Sequence, residues 1–173
     1  SLHRNLLTET YIIVIRQRIT ELTTKMLQRK QTVFLFISFL LTIVCLCLPI
    51  GSFEPNEMGV GKQMFNLWLL NDGHHEYSVA GLFFILLITC PISLKAISSF
   101  HNRMFQSRLC VLNIILLVLW YVVYVVSVKI ISSDMYSFHP SIAACFPLIS
   151  IILLFMARKG ILDDEKLVRA AEE

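Results

Sequence analysis

Residues 109–128 read LCVLNIILLVLWYVVYVVSV, twenty residues without a charge, with Arg108 before them and Lys129 after. About 20 mostly apolar residues in a helix cross the roughly 30 Å hydrocarbon layer of a bilayer. A soluble helix would keep polar residues along one face; this stretch is apolar all round. Three further stretches read the same way. Thr32–Ile50 is uncharged, Ser78–Leu94 is closed by Lys95, and Pro140–Ala157 is closed by Arg158 and Lys159. Pro91 and Pro147 lie inside the second and fourth, where they predict kinks whose freed carbonyls neighbouring helices satisfy. The expected fold class is all-α, an integral membrane four-helix bundle.

The composition agrees. Of 173 residues 56% are hydrophobic and 16% charged, with a mean hydropathy of +0.71, whereas soluble domains carry about a quarter charged residues. The charges cluster between the apolar stretches, as a medium that tolerates no unpaired ion requires. A net charge of +3 with no long basic run speaks against nucleic acid as a partner.

Lysine and arginine set the expected orientation. Arg4, Arg16, Arg18, Lys25, Arg29 and Lys30 precede the first span; Lys95, Arg103 and Arg108 flank the second connection; Arg158, Lys159, Lys166 and Arg169 follow the last span. Of fifteen cations only Lys62 and Lys129 fall in the other two connections. The positive-inside rule then places both termini in the cytoplasm and makes Gly51–Tyr77 the longer extracytoplasmic loop. Arg29, Lys30, Lys95, Arg103, Arg108, Arg158 and Lys159 are the expected topology-setting, lipid-facing cations. In the outer loop, Met64–Leu70 is too short to span and is expected to lie in the interface, with Trp68 at headgroup depth and glycines forming turns around it.

The first span is expected to be an uncleaved anchor. It is longer than a signal-peptide core and no A-x-A-like site follows. Val44 and Leu46 precede Cys45 and Cys47 where a lipoprotein site wants a small residue. Residues 1–25 form an extension with two readings: an amphipathic helix on the inner leaflet with Leu7, Tyr11, Ile15, Leu22 and Met26 on one stripe, or a segment preceding a natural start at Met26. Residues 26–169 form the four-span unit. Residues 158–173 form a cytoplasmic tail, in which Asp163 or Asp164 is expected to cap a short helix.

Two stretches carry a resemblance. Met26-Leu27-Gln28-Arg29-Lys30-Gln31-Thr32-Val33 leads into the first span. Ala157-Arg158-Lys159-Gly160-Ile161 and Asp164-Glu165-Lys166-Leu167-Val168-Arg169 follow the last. Over residues 26–169 the chain resembles a family of uncharacterised four-span inner-membrane proteins of Bacteroidetes. It departs from that family at Lys30, where the family usually has an apolar residue, and at its Ala170–Glu173 end, where members often run on into a basic stretch. The resemblance implies a bacterial inner membrane as the location and brings no activity.

Candidate sites are sparse. Cys45, Cys47 and Cys145 near the outer ends invite comparison with membrane thiol-redox enzymes, but the spacing is Cys-x-Cys and no cysteine lies in an outer loop; buried packing is the plainer role. His74 and His75, with Asp72 and Glu76, are weak metal candidates, and His139 and Asp134 are the residues that could join them. No acid or base lies mid-span, and Ser38, Thr42, Thr89, Ser93, Asn113, Ser127, Ser141 and Ser150 are scattered. No cofactor is expected. The expected function is non-enzymatic: an accessory subunit covered by lipid, by a membrane-protein partner or by further copies of itself. The alternatives are a small transporter or lipid-interacting carrier, resting on the paired prolines and the basic inner loop, and a thiol-redox enzyme.

Overall fold

A computed structural model of the chain describes residues 2–99, 101–132 and 136–172, with side chains apart from those of 2–11, 19–29 and 172. Among the described residues four helices are long and apolar enough to cross a membrane. They are α1 (Leu2–Cys47), α2 (Ala80–Ser98), α3 (Arg103–Ile131) and α4 (Phe146–Glu172). α1 packs beside α2 and α4, and α3 beside the same two, so the helices form a ring with α2 and α4 on one diagonal.

Each helix buries a stripe of alternating three- and four-residue steps. The stripes are Gln31, Leu35, Ser38, Thr42 and Cys45 on α1; Leu82, Leu86, Thr89, Ser93 and Ala96 on α2; Cys110, Asn113, Leu117, Trp120 and Tyr124 on α3; and Ser150, Leu154, Ala157, Ile161 and Asp164 on α4. A repeat averaging 3.5 residues is the seam of left-handed helix packing. Other large apolar side chains point away from the bundle: Phe36, Phe84, Ile115, Val122 and Phe155 are half exposed or more. The helices are therefore not uniform around their circumference. The buried stripes carry hydroxyls and amides among Leu35, Leu86, Leu117, Trp120 and Leu154, while the outward faces carry large apolar side chains.

The all-α expectation needs correction. Both connections at one end of the bundle fold into a single antiparallel sheet, made of β1 (Gly51–Pro55), β2 (Lys62–Met64), β3 (Leu69–Asn71), β4 (His74–Glu76) and β5 (Tyr136–Pro140) in the order β4-β3-β2-β1-β5. Met64–Leu70 forms a hairpin between β2 and β3. Its turn closes with the Phe65 amide donating to the Trp68 carbonyl at 2.9 Å. The β3–β4 turn sits at Asp72 and Gly73, with φ of 48° and 78°, the two-residue primed turn that Asp-Gly favours. β5 comes from the connection after α3 and pairs with β1 through five positions, Gly51 opposite Pro140 to Pro55 opposite Tyr136.

The sheet rests on the bundle through Ile50, Phe53, Met64 and Leu69, all essentially fully buried. Phe138 packs 4.9 Å from Phe53 and 6.1 Å from Tyr124, ring to ring. Its ring also covers Gly51, where an added Cβ would stand 2.5 Å from Phe138 Cε2. Gly51→Val is therefore expected to push Phe138 out and break the β1–β5 pair at a cost of about 1–3 kcal/mol, the usual range for overpacking. Limited proteolysis of the outer connections reads this out. Cleavage unchanged from the wild type would show that the ring moves at no cost.

Two further expectations change. Pro147 is the second residue of α4, where its missing N–H has no intrahelical acceptor to lose, so it starts the helix rather than kinking it. Pro91 does lie inside α2. α4 runs unbroken to Glu172, so neither Asp163 nor Asp164 caps a separate helix. α1 likewise continues without a break from Leu2. Of the stripe proposed for residues 1–25 only Ile15 has a described side chain; Leu7, Tyr11, Leu22 and Met26 lie outside the described ones.

Candidate functional site

Polar side chains inside the bundle gather at three levels. At the middle, Ser38 Oγ donates to the Ser150 carbonyl at 3.5 Å and Ser150 Oγ to the Ser38 carbonyl at 3.2 Å, clasping α1 to α4. Asn113 Nδ2 donates to Ser93 Oγ at 2.6 Å, clasping α3 to α2. Such bonds between membrane helices average about 0.6 kcal/mol each. Asn113 Oδ1 is buried without a partner.

At the sheet end, the turn after β2 lowers Asn66 into the bundle, where it is fully buried. Its Nδ2 donates to the Cys45 carbonyl at 2.6 Å. That carbonyl is one of the last four of α1 and has no acceptor role within the helix. Asn66 Oδ1 accepts from Trp120 Nε1 at 3.1 Å, and Trp120 stacks on Tyr124 with ring centroids 5.1 Å apart. Tyr124 Oη donates to the Ile50 carbonyl at 2.9 Å and Tyr121 Oη to the Ala144 carbonyl at 2.6 Å. One asparagine and three aromatics thus tie the sheet, α1 and α3 together.

At the opposite end lies the one buried carboxylate among the described residues. Asp164 is 1% exposed. Its Oδ2 lies 3.4 Å from Gln31 Nε2 on α1 and 4.0 Å from Arg103 Nη1 at the start of α3. Gly160 lets α1 and α4 approach there: a Cβ would stand 3.1 Å from Gln31 Nε2. Arg103 Nη1, Arg158 Nε and Asp164 Oδ1 are all buried without a hydrogen bond. Two partly buried guanidiniums and one carboxylate give this end an excess of positive charge and unused donors. Arg103 and Arg158 therefore turn toward the bundle, unlike Lys30, Lys95, Arg108 and Lys159, which are exposed. The side chain of Arg29 lies outside the described ones.

The chemical candidates from the sequence are dispersed. His74 and His75 are exposed on edge strand β4, with His75 against Trp68 at 5.2 Å. His139 lies on β5, the opposite edge, 3.7 Å from Glu54. Four strand spacings of about 4.8 Å separate the two edges. Asp134 lies outside the described residues. No group of three or more His, Cys, Asp or Glu residues among the described ones is placed to hold a metal ion. Cys45 is buried under Asn66, whereas Cys47 and Cys145 are exposed.

Sequence reading did not single out Asn66 or Gln31, and read Asp164 only as a candidate helix cap in the tail. For the last two a signal was present. Gln31 continues the Leu35-Ser38-Thr42-Cys45 stripe and Asp164 continues Leu154-Ala157-Ile161, each on the inward face. Asn66 has no such periodicity, because it sits in a turn.

No curated protein matches the chain. A family model does, over residues 27–172, which takes in α1 from residue 27 onward, the other three helices, the sheet and the Gln31–Asp164 cluster. The chain therefore belongs to the DUF4293 family, a domain of unknown function.

Proposed function

We propose that this is a multi-pass protein of a bacterial inner membrane, with both termini cytoplasmic, serving as a non-enzymatic accessory subunit of a membrane complex. The observation that carries insertion is the array of large apolar side chains on the outward faces of the helices, around an interior that also holds hydroxyls and amides. Ser38, Thr42, Ser93, Asn113 and Ser150 are buried while Phe36, Phe84, Ile115, Val122 and Phe155 are exposed. Water would favour the reverse. The non-enzymatic reading is supported by the use of those polar groups: Ser38 with Ser150 and Ser93 with Asn113 bond across helix pairs, and Thr42 bonds to its own helix, which is a packing role. The orientation is supported by the cation split, with Lys62 and Lys129 at the sheet end and the basic clusters at the other. The transporter alternative loses one of its two prolines, since Pro147 opens α4.

Orientation is tested with single cysteines in a background where Cys47 and Cys145 are serine. Met58→Cys, at the fully exposed tip between β1 and β2, is expected to react with a membrane-impermeant maleimide in intact cells. Lys166→Cys is expected to react only after permeabilisation. The reverse pattern would invert the topology. Co-purification from gently solubilised membranes tests the accessory role, and a monomer that brings down no partner would overturn it.

A further inference from the structure

At the basic end, beside the Asp164 cluster, a cleft of about 580 Å3 opens between the start of α3 and the tail of α4, lined by His101, Arg103, Arg108, Met104, Phe105 and Glu165. We propose that this cleft binds the phosphate of an anionic phospholipid headgroup from the leaflet on the basic side. The proposal rests on the membrane reading above.

Charge comes first. Arg103 and Arg108 line the cleft with His101, against one carboxylate, Glu165. Glu165 already accepts from Arg169 Nε at 3.2 Å. Arg103 turns one nitrogen, the buried Nη1, toward Asp164 at 4.0 Å, while Arg108 stands exposed on the cleft wall. A guanidinium presents five donors in a planar fork suited to phosphate oxygens, and here donors are left over.

The backbone adds to them. Asn102 stands at the N-cap of α3 without a side-chain cap bond. The Gln106 amide makes the first bond of the helix, to the Asn102 carbonyl at 2.9 Å. The amides of Arg103, Met104 and Phe105 therefore have no acceptor within the helix, and they open where the helix dipole favours an anion.

Depth and rim select a lipid over a free anion. At 1.5 Å per residue α3 spans about 39 Å from Arg103 to Lys129, longer than the roughly 30 Å hydrocarbon layer. With Lys129 at one surface, Arg103 lies at headgroup level on the other. Met104 and Phe105, 42% and 44% exposed, give the cleft an apolar lip. A free phosphate would gain nothing from it, whereas the upper acyl chains of a lipid would cover it.

The test uses the full chain in detergent and native mass spectrometry of lipid adducts, with phosphatidylglycerol and phosphatidylcholine of the same acyl chains as probes. Phosphatidylglycerol is expected to be retained preferentially. Arg108→Ala, at an exposed position outside the packed interior, is expected to cut that retention about fivefold, the worth of one cation at an anionic surface. Arg103→Ala is expected to cut it further, and Lys62→Ala, at the sheet end, to leave it unchanged. Equal retention of both lipids, or an Arg108→Ala protein that holds phosphatidylglycerol as well as the wild type, would overturn the site. Displacement of the lipid by millimolar inorganic phosphate would overturn the lipid as its source. Alkaline carbonate extraction of membranes tests the underlying reading separately: a protein released by carbonate is not inserted, whatever the adducts show.

Discussion

Asn66→Ala is expected to destabilise the protein by about 2–5 kcal/mol, because it leaves two buried groups without partners and each such loss costs about 1–3 kcal/mol. The Cys45 carbonyl loses its donor and Trp120 Nε1 its acceptor. Both lie where water cannot replace Asn66, which is fully buried. Trp120→Phe probes the same link from the other side. It keeps one aromatic ring against Tyr124 but removes the indole N–H together with part of the buried bicycle, so a loss of about 2–4 kcal/mol is expected from the lost bond and the cavity together. Asn66→Asp should be at least as damaging as alanine, since a carboxylate cannot donate to the Cys45 carbonyl and sits at the negative end of the α1 dipole. Thermal unfolding in one detergent measures all three. A melting temperature for Asn66→Ala within about 2 °C of the wild type would mean less than roughly 1 kcal/mol and would show that Asn66 does not hold the sheet to the bundle.

Asp164→Leu should have an effect of similar size at the other end. It removes the carboxylate between Gln31 and Arg103 and leaves the Arg103 guanidinium facing an apolar neighbour. Breaking a buried pair from one side costs about 3–5 kcal/mol. Arg103 is 20% exposed, so about 2–4 kcal/mol is expected after allowing for solvent. The double variant Arg103→Leu/Asp164→Leu is expected to recover part of that loss, because no uncompensated pair partner remains at Arg103. Recovery separates a charge effect from a packing effect. A double variant as unstable as the sum of the singles would show that the two side chains act independently.

These two positions mark the limit of what the sequence made legible. The helices were readable because a bilayer demands long uncharged runs, and Leu109–Val128 meets that demand without ambiguity. Their inward faces were readable in principle, since hydroxyls and amides recur at heptad positions such as Ser38 and Thr42, but hydropathy alone treats a span as uniform. The sheet was not read. Its strands have three to five residues, too short for alternation to register, and its longest pairing, of β1 with the edge strand β5, joins connections more than eighty residues apart in the chain. One local sign was available: Asn71-Asp72-Gly73-His74, with Leu69 and Leu70 before it, is a two-residue hairpin signal. The Asp164 cluster was obscured by the expectation that a charged tail is solvated, an expectation that α4 defeats by carrying its buried stripe past Ile161.

The pairing of β1 with β5 also sets an order of events during synthesis. Strands β1 to β4 emerge before α2, but the partner of β1 follows α3. Until α3 is complete, β1 presents a row of unpaired amides and carbonyls, the kind of edge that recruits foreign strands. The nascent chain must therefore carry an open sheet through the making of two further helices, and arrival of Tyr136–Pro140 closes it. A ribosome that pauses between α2 and β5 would prolong that exposed interval, and a chain truncated there would keep the edge for good.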